Sequence, residues 1–159
     1  MTIPPELLVF GVSMLPIFEL RGAIPLGMLL GMSKEAAFFW AEIGNIIPVF
    51  FLLKLLGPIS KWLMEHFKFF NRILTKVFTH TREKHSKTFT KFGPVFLVTL
   101  VAIPLPGTGA WTGALIAFLF DMPYWRSILL ILIGNIIAGI LVSFGFGAGL
   151  ELIKMFQGH

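Results

Sequence analysis

Apolar blocks of two lengths alternate along the chain, and their lengths predict how each one meets a membrane. Two short apolar arms, residues 7–18 and 23–32, flank the polar run 19–22. A helix rises about 1.5 Å per residue, so arms of roughly ten to twelve residues reach about half of a hydrocarbon core that is about 30 Å thick. Neither arm can cross alone, and together they predict a re-entrant hairpin. The following block, 36–56, is long enough to span.

The second half of the chain repeats this order of elements. Short arms at 93–103 and 110–120 flank a run of helix breakers, PLPGTG at 104–109, and a spanning block covers 125–150. Proline and glycine interrupt helices, so this run predicts a second hairpin. The alternative is that 92–120 forms one long, kinked span.

Short identities between the halves indicate a duplication. The tetrapeptide GNII at 44–47 returns ninety residues later at 134–137. Chance identity is common in apolar chains, but here the order of breaker, half-helix and span recurs as well. The remaining matches are Met32 with Met122 in the same register and, with one inserted residue, 22–24 with 113–115.

A hairpin plus one span in each half would give the two halves opposite orientations. Inverted repeats of this kind meet near the bilayer midplane through broken helices. Backbone broken at that depth must be covered by protein or by a water-filled cavity, so we expect the two breaks to face each other. The predicted fold is an all-α integral membrane protein. It forms one membrane domain, 1–159, divided into repeat one at 1–57 (hairpin 5–32, span 34–57), a connection at 58–92, and repeat two at 93–150 (hairpin 93–121, span 123–150).

The connection between the halves carries the positive charge of the chain. Residues 60–92 contain eight Lys or Arg and two Glu, whereas the whole chain has a net charge of +5. Apolar residues recur in this segment at helical spacing, which predicts a basic amphipathic helix on the membrane surface. The positive-inside bias places it in the cytoplasm and both termini outside a cell membrane. A solvated loop is favoured over nucleic-acid binding, and membrane lipids are the expected partners.

Composition supports the membrane assignment and limits the chemistry. With 56% hydrophobic and 13% charged residues, the chain needs lipid as its main solvent. It has no Cys, which excludes disulfides and thiolate chemistry. His66, His80 and His85 show no metal-ligand spacing and no hydrolytic constellation is visible, so we expect no enzyme activity, no metal and no cofactor. The first apolar stretch lacks a basic flank and a clear cleavage site, so we expect it to stay in the mature protein.

Glu19 and Arg21 lie at the tip of the first hairpin, where an unpartnered charge would cost about 2.5–3.5 kcal/mol. They should therefore face away from lipid. In a structural interpretation they pair with each other or with backbone carbonyls to hold the turn. In a functional interpretation Arg21 binds an anionic group with its planar fork, and Glu19 carries a proton. Gly22 and Pro25 follow as helix-breaking or packing residues.

The PLPGTG run at the second break has the features of an anion site. Its prolines, including Pro104, end one helix, and its glycine amides can approach a ligand directly before the next helix N-terminus, which favours negative charge. Alternatively, Thr108 would simply cap that helix. The run is not a P-loop, because the Lys-Ser/Thr ending is missing. The predicted substrate-binding residues are Arg21, Pro106, Gly107, Thr108 and Gly109.

The spanning blocks contain the polar residues Glu42, Asn45 and Asn135. Asn45 and Asn135 occupy equivalent positions of the two repeats, and buried Asn often serves only as a hydrogen-bonding link between helices. Glu42 lies three residues before Asn45 and therefore on the same helical face. An intramembrane carboxylate is a functional candidate by default, so we assign Glu42 together with Glu19 to proton coupling.

The motifs resemble a known family. ELRGAIP at 19–25, PLPGTG at 104–109 and GN at 134–135 are similar to the small multidrug export proteins, over essentially the whole chain. That family resembles more distantly the DedA superfamily, whose members are thought to carry two inverted re-entrant hairpins and to translocate or scramble phospholipids and isoprenoid-phosphate carriers. DedA proteins place an acidic residue after a Pro-Gly pair and an arginine after the proline of the other hairpin. Here Thr108 follows the Pro-Gly pair, and only one hairpin has an arginine, Arg21.

Three functions remain open at this point. The first is a transporter or scramblase for a lipid with an anionic phosphate head group, with proton coupling. The second is an exporter of lipophilic cations, with Glu19 and Glu42 as counter-charges and Trp40 and Trp111 as cation–π partners, against which Arg21 argues. The third is a non-transporting membrane scaffold or assembly factor. Two spans and two hairpins are few elements to enclose a path across the membrane, which is consistent with a homodimer but does not require one.

Overall fold

The computed structural model describes residues 3–105 and 107–157, without the side chains of 70, 77, 78, 80–91 and 152–157. These ranges contain helices and no strand. The predicted all-helical class is therefore confirmed for the described part of the chain. The helices are α1 (Pro5–Ser13), α2 (Glu19–Leu29), α3 (Lys34–His66), α4 (Lys68–Ala102), α5 (Ala110–Leu119) and α6 (Tyr124–Gln157).

Two helices have the length and apolarity of membrane spans. They are α3 over its whole length, Lys34–His66, and α6 over Tyr124–Glu151. The predicted spans at 34–57 and 123–150 fall on these two helices. α3 begins directly after Ser33, whose hydroxyl accepts the amide of Ala36 at 3.2 Å and caps the helix.

Both breaks reverse the direction of the chain. A Cβ added to Gly27 of α2 would lie 2.9 Å from the side chain of Val9 in α1. In the second half, a Cβ added to Gly113 of α5 would lie 2.7 Å from the side chain of Val101 in α4. A continuous helix would hold residues twelve positions apart at about 18 Å. The kinked-span alternative for 92–120 is therefore wrong, and both halves contain a helical hairpin.

The connection at 58–92 is not a helix of its own. α3 runs on through Pro58, and α4 includes the rest of the segment, so that the corner lies at Phe67 in extended backbone with φ −128°. Pro58 removes one helical hydrogen bond without ending α3. The corner is stabilised by Asn71 of α4, whose side-chain amide donates to the carbonyl of Met64 at 3.0 Å and satisfies the last turn of α3.

The buried positions of the first half recur in the second half at an offset of ninety residues. Every buried residue of α2 and α3 has a buried counterpart ninety residues later. The turn that follows α2 recurs as well, because the amide of Met32 donates to Gly27 at 3.0 Å and that of Met122 donates to Ala117 at 2.9 Å. The buried pairs are Glu19 and Gly109, Leu20 and Ala110, Ala23 and Gly113, Ile24 and Ala114, Gly27 and Ala117, Ala37 and Ser127, Ala41 and Ile131, Gly44 and Gly134, Asn45 and Asn135, Pro48 and Ala138, and Val49 and Gly139.

This register corrects one match made from the sequence. The alignment of 22–24 with 113–115 through one inserted residue is wrong, because burial places Ala23 opposite Gly113. The two halves differ in length within the breaks, where five residues separate α1 from α2 and seven separate α4 from α5. The recurrence is one of burial and hydrogen bonding, and the inverted orientation across a membrane stays a prediction.

Two apolar clusters form the core. The first core cluster joins hairpin one to α6 through Ala138, and the second core cluster joins hairpin two to α3 through Val49. Each cluster thus contains the long helix of the other half, so the halves interlock. The first core cluster consists of Val9, Leu20, Ala23, Ile24, Ala41 and Ala138, and the second of Val49, Leu97, Val101, Ala110, Ala114, Ala117 and Ile131.

Candidate functional site

The two breaks meet at one point of the molecule. Arg21, in the first turn of α2, donates through Nη1 to the carbonyl of Leu105 and through Nη2 to the carbonyl of Val101 at 3.2 Å. These carbonyls lie at the C-terminal end of α4 and just beyond it, where a helix carries partial negative charge. The prediction that the two breaks face each other is confirmed, and the partners of Arg21 are backbone carbonyls.

Glu19 makes the complementary contact with the next helix. Its side chain is only 6% exposed, and its Oε1 accepts the amide of Trp111, in the first turn of α5, at 3.2 Å. A helix N-terminus carries partial positive charge and unpaired amides, so it binds anions. The α5 N-terminus therefore does contact an anionic group, and that group is the carboxylate of Glu19.

Gly109 makes the approach of this carboxylate possible. Its φ is 148°, and a Cβ added to it would lie 2.7 Å from the carboxyl carbon of Glu19. Any larger residue here would push the carboxylate away from α5 and would also be strained. Gly109 therefore serves the contact between the breaks.

Two threonine hydroxyls make hydrogen bonds to backbone carbonyls within the second break. The expected cap of α5 by Thr108 is wrong, because α5 has no side-chain cap and the Thr108 hydroxyl instead lies 2.8 Å from the carbonyl of Ile103 and 2.9 Å from that of Leu105. Thr112, which was not singled out from the sequence, donates to the carbonyl of Gly107 at 2.9 Å. A threonine one turn into a helix is a weak signal, since many helices have one without any such role.

A cleft of about 280 Å³ lies between the breaks. Arg21 lines it, and the Nε of this side chain has no hydrogen-bond partner among the described residues. The predicted Pro106 lies outside the described residues, whereas Pro104 lines the cleft just after α4. The remaining lining comes from 16–18, Glu19 and Gly22 on the first break and from Leu105, Gly107, Thr108 and Thr112 on the second.

Two predicted packing residues lie in α2. A Cβ added to Gly22 would lie 3.1 Å from the side chain of Phe18, so this glycine keeps the break compact. Pro25 lies inside α2 and does not end it.

An apolar groove of about 370 Å³ adjoins the same place. Trp111 connects the groove to the cleft, because its amide binds Glu19, which lines the cleft, and Trp111 itself lines the groove. Met14, the first residue after α1, lines the groove as well. The opposite wall is an apolar face of α3 formed by Pro48, Phe51, Leu52, Leu55, Leu56 and Ile59.

The polar residues of the spans do not line the cleft. Asn45 and Asn135 are fully buried, and both side-chain atoms of Asn45 and the Nδ2 of Asn135 have no hydrogen-bond partner in the described part of the chain. Both carboxylate oxygens of Glu42 are buried and equally unpartnered there. The structure therefore separates Glu42 from the cleft that contains Glu19, although both were assigned to proton coupling.

The described residues contain no group of three His, Cys, Asp or Glu that could hold a metal ion. His66 lies 2.9 Å from the carbonyl of Trp62 through its Nδ1. The side chains of His80 and His85 lie outside the described residues.

Comparison with known proteins agrees with the motifs. No curated protein and no solved structure matches the chain. A family model described as "Putative small multi-drug export protein" matches residues 19–141, which include Glu19 and Arg21, the whole second break and the buried asparagines. Because this match covers most of the chain, and because two helices have the length and apolarity of spans, the chain belongs to the small multidrug export protein family of membrane proteins.

Proposed function

We propose that this protein is a small multi-pass membrane transporter or scramblase that moves a lipid with an anionic phosphate head group. The observation that carries the proposal is the carboxylate of Glu19 at the N-terminus of α5, beside the guanidinium of Arg21. Helix N-termini and guanidinium groups are the two protein groups best suited to phosphate. In this proposal Glu19 occupies, from within the chain, the place that a phosphate takes during transport.

Exchange between the carboxylate and a phosphate would couple transport to protons. A protonated Glu19 loses the negative charge that holds it at the amide of Trp111, so a phosphate can replace it there. The Nε of Arg21, which has no hydrogen-bond partner among the described residues, offers the incoming group a further donor. When the phosphate leaves, Glu19 gives up its proton and returns to α5. Each cycle then links one anionic head group to one proton.

The surroundings support an amphiphilic substrate. The polar cleft of about 280 Å³ has room for a head group, and the apolar groove of about 370 Å³ has room for part of an acyl or isoprenoid chain. Trp111 lies at the junction of the two. The distant resemblance to the DedA superfamily supports the same substrate class.

Export of lipophilic cations is the second candidate. The family description names drug export, and Glu42 offers a buried carboxylate without a partner among the described residues. Arg21 beside the cleft argues against a cation there. A scaffold without transport would use the contacts between the breaks only to hold the fold, and no arrangement of the described side chains favours an enzyme.

Reconstitution in liposomes tests the proposal. Exposure of a fluorescent phospholipid and efflux of ethidium are followed in parallel for the wild type, Arg21→Ala, Arg21→Lys and Glu19→Gln. We expect Arg21→Ala to abolish lipid movement, and Glu19→Gln to keep movement but lose its dependence on a proton gradient. Arg126→Ala is the matched control, because Arg126 is exposed on the first turn of α6.

Arg21→Lys separates binding from folding. A lysine can still donate to the carbonyls of Val101 and Leu105, but it lacks the planar fork that suits phosphate. A folded Arg21→Lys protein with little lipid movement supports a binding role. Intact lipid movement in Arg21→Ala would rule out the mechanism, and ethidium efflux that depends on Glu42 alone would favour the second candidate.

The proposed topology has both termini outside and the basic connection in the cytoplasm of a cell membrane. The chain has no native cysteine, so single substitutions Thr2→Cys, Ser86→Cys and Gln157→Cys can be labelled cleanly. An impermeant thiol reagent applied to intact cells should label positions 2 and 157 and spare position 86. Labelling of position 86 alone would contradict the proposed orientation.

A further inference from the structure

A buried polar layer lies between the two core clusters. Ala41 of α3 shares the first core cluster with Ala138 of α6, and Val49 of α3 shares the second core cluster with Ile131 of α6. Between these two contacts α3 carries Glu42 and Asn45, and α6 carries Asn135. The layer is therefore closed by apolar packing on both sides.

The register of the two helices brings these side chains to one level. The Nζ of Lys34 lies 5.0 Å from the ring centroid of Phe144, and one turn later on α3 the ring of Phe38 lies against Gly139. α3 and α6 are thus antiparallel, and each turn forward on α3 meets one turn back on α6. The next turn of α3 carries Glu42, and the turn of α6 before Gly139 carries Asn135.

Five side-chain polar atoms of this layer, which do not include the Oδ1 of Asn135, have no hydrogen-bond partner in the described residues. Asn45 is 0% exposed and neither its Oδ1 nor its Nδ2 makes a hydrogen bond, and Asn135 is 1% exposed with an unpartnered Nδ2. Both carboxylate oxygens of Glu42 are also buried and have no hydrogen-bond partner in the described residues. Native proteins rarely leave so many neighbouring polar atoms buried and unpaired, and such groups call for a ligand or another specific cause. Glu19, by contrast, has a backbone partner at α5.

The donor set defines what such a ligand would be. One carboxylate and two amide oxygens form a hard, all-oxygen set with a single negative charge. Hard cations prefer oxygen ligands, and a divalent ion would call for more carboxylates than this layer has. We propose that Glu42, Asn45 and Asn135 bind one small monovalent cation, Na⁺ or a proton, between α3 and α6. Only the role of this site in coupling depends on the proposed transport function. Cation binding itself can be tested without any substrate.

Few other charges face this layer. On α6 the nearest charged residues in sequence are Arg126 and Glu151, at its two ends. On α3, Glu35 lies two turns before Glu42 on the same face and is exposed. The other charged residues on α3 and on the elements packed against it are Glu6 on α1, Glu19 and Arg21 on α2, Lys34, Lys54, Lys61 and Glu65 on α3 itself, and the charged residues of α4.

The test is a melting experiment on the full chain in nanodiscs of neutral lipid. The melting temperature is measured at alkaline pH as NaCl replaces choline chloride at constant ionic strength, and again in choline chloride over a pH series. Binding to the folded state alone raises the melting temperature in proportion to the logarithm of ligand concentration. We expect a rise of several degrees, either with Na⁺ or, without Na⁺, on acidification.

Variants assign the response to the layer. Glu42→Gln should lose the response, and Asn45→Ala should need at least about tenfold more cation for the same shift, an effect of about 1.4 kcal/mol. Glu35→Gln is the matched control and should keep the wild-type response, since it changes the same group two turns away. A Na⁺-specific shift identifies sodium, and a shift with pH alone that Glu42→Gln removes identifies the proton.

Two results would overturn the site. One is a wild-type protein that melts cooperatively but responds to neither cation. The other is a folded Glu42→Gln protein that responds as the wild type does. Neither result depends on lipid or drug movement, so a failure of this site is distinguishable from a failure of the proposed function.

Discussion

The two halves of the molecule share one pattern of burial but divide the polar chemistry between them. The first half carries Glu19, Arg21 and Glu42, whereas the residues ninety positions later are Gly109, Trp111 and Leu132. The second half contributes backbone instead, through the amide of Trp111 and the carbonyls that receive Arg21. Packing constrains the buried apolar positions in both halves alike, while the polar positions differ between the halves.

The division follows the charges at helix ends. α5 offers a partially positive N-terminus and α4 a partially negative C-terminus, and the first break meets them with a carboxylate and a guanidinium. The second break therefore needs no charged side chain of its own. Neither half can build this contact alone, which explains why the cleft lies where the halves meet.

The largest effect is expected at the point where the halves touch most closely. Gly109→Ala places a Cβ against the carboxyl group of Glu19 on backbone with φ 148°, so strain and collision add to a loss of about 3–5 kcal/mol. Gly107→Ala is the control, because φ is 79° there but a Cβ meets nothing within 4 Å, and it should cost about 1 kcal/mol. Melting temperatures in detergent give the comparison. Equal losses for both variants would mean that Glu19 does not hold the breaks together.

The sequence predicted the meeting of the breaks and offered backbone carbonyls as one alternative for the partners of its charges, but it did not identify which backbone groups these are. Glu19 and Arg21 stood out because charges at the tip of an apolar hairpin must be paired, and the break positions followed from helix breakers and arm lengths. Their partners are backbone groups that every residue carries, so no pattern could identify them. The corner at Phe67 was equally invisible, since it lacks a breaker, while Pro58 nearby is a breaker that the helix accommodates.

The shared register of the two halves was visible only where its residues are distinctive. GNII and the methionines after each hairpin gave the register of ninety, and the buried positions follow it. Within α2 and α5 the residues are mostly Gly, Ala and Leu, which carry little information in an apolar chain. That is why the match of 22–24 was displaced by one residue.

Removing the guanidinium should give the next largest effect. Arg21→Met keeps the length of the side chain but loses both bonds to the carbonyls at and just beyond the C-terminal end of α4, and hydrogen bonds to a charged group contribute about 1.5–3 kcal/mol. We expect the free energy of unfolding in mixed micelles to fall by about that amount. Arg126→Met, at an exposed position, should change it by about 0.5 kcal/mol or less. If Arg126→Met lowers the free energy of unfolding as much as Arg21→Met does, the contact between Arg21 and the C-terminal end of α4 does not explain the stability of the two halves together.

Equivalent glycines test whether the halves share packing as well as burial. A Cβ added to Gly44 would overlap the carbonyl and side-chain oxygens at the end of α1, and one added to Gly134 would lie 2.6 Å from Val101 near the end of α4. Gly44→Ala and Gly134→Ala should each cost about 1–3 kcal/mol by overpacking. Gly145→Ala, where a Cβ meets nothing within 4 Å, should instead gain about 0.5–1 kcal/mol. Thermal unfolding measures the stability of each variant. If only one of Gly44→Ala and Gly134→Ala lowers it, the two halves do not share the packing of α1 against α3 and of α4 against α6.

The smallest effect, and the one whose sign matters most, is expected at the paired asparagines. If Asn45 and Asn135 only link helices by hydrogen bonds, replacing either with leucine should lower stability by about 0.6 kcal/mol, the usual strength of such links in membranes. The structure shows no bond made by the Asn45 side chain or by Nδ2 of Asn135 to the described residues, so removal of these polar groups should relieve unpaired burial instead. We therefore expect Asn45→Leu and Asn135→Leu, measured in choline chloride at alkaline pH, to be neutral or to gain up to about 1 kcal/mol. The gain should vanish when NaCl or acid is added, because the cation then stabilises the wild type more than it stabilises the variants. A loss of stability in choline chloride for both variants would show that the asparagines join the two halves directly and that the polar layer needs no ligand.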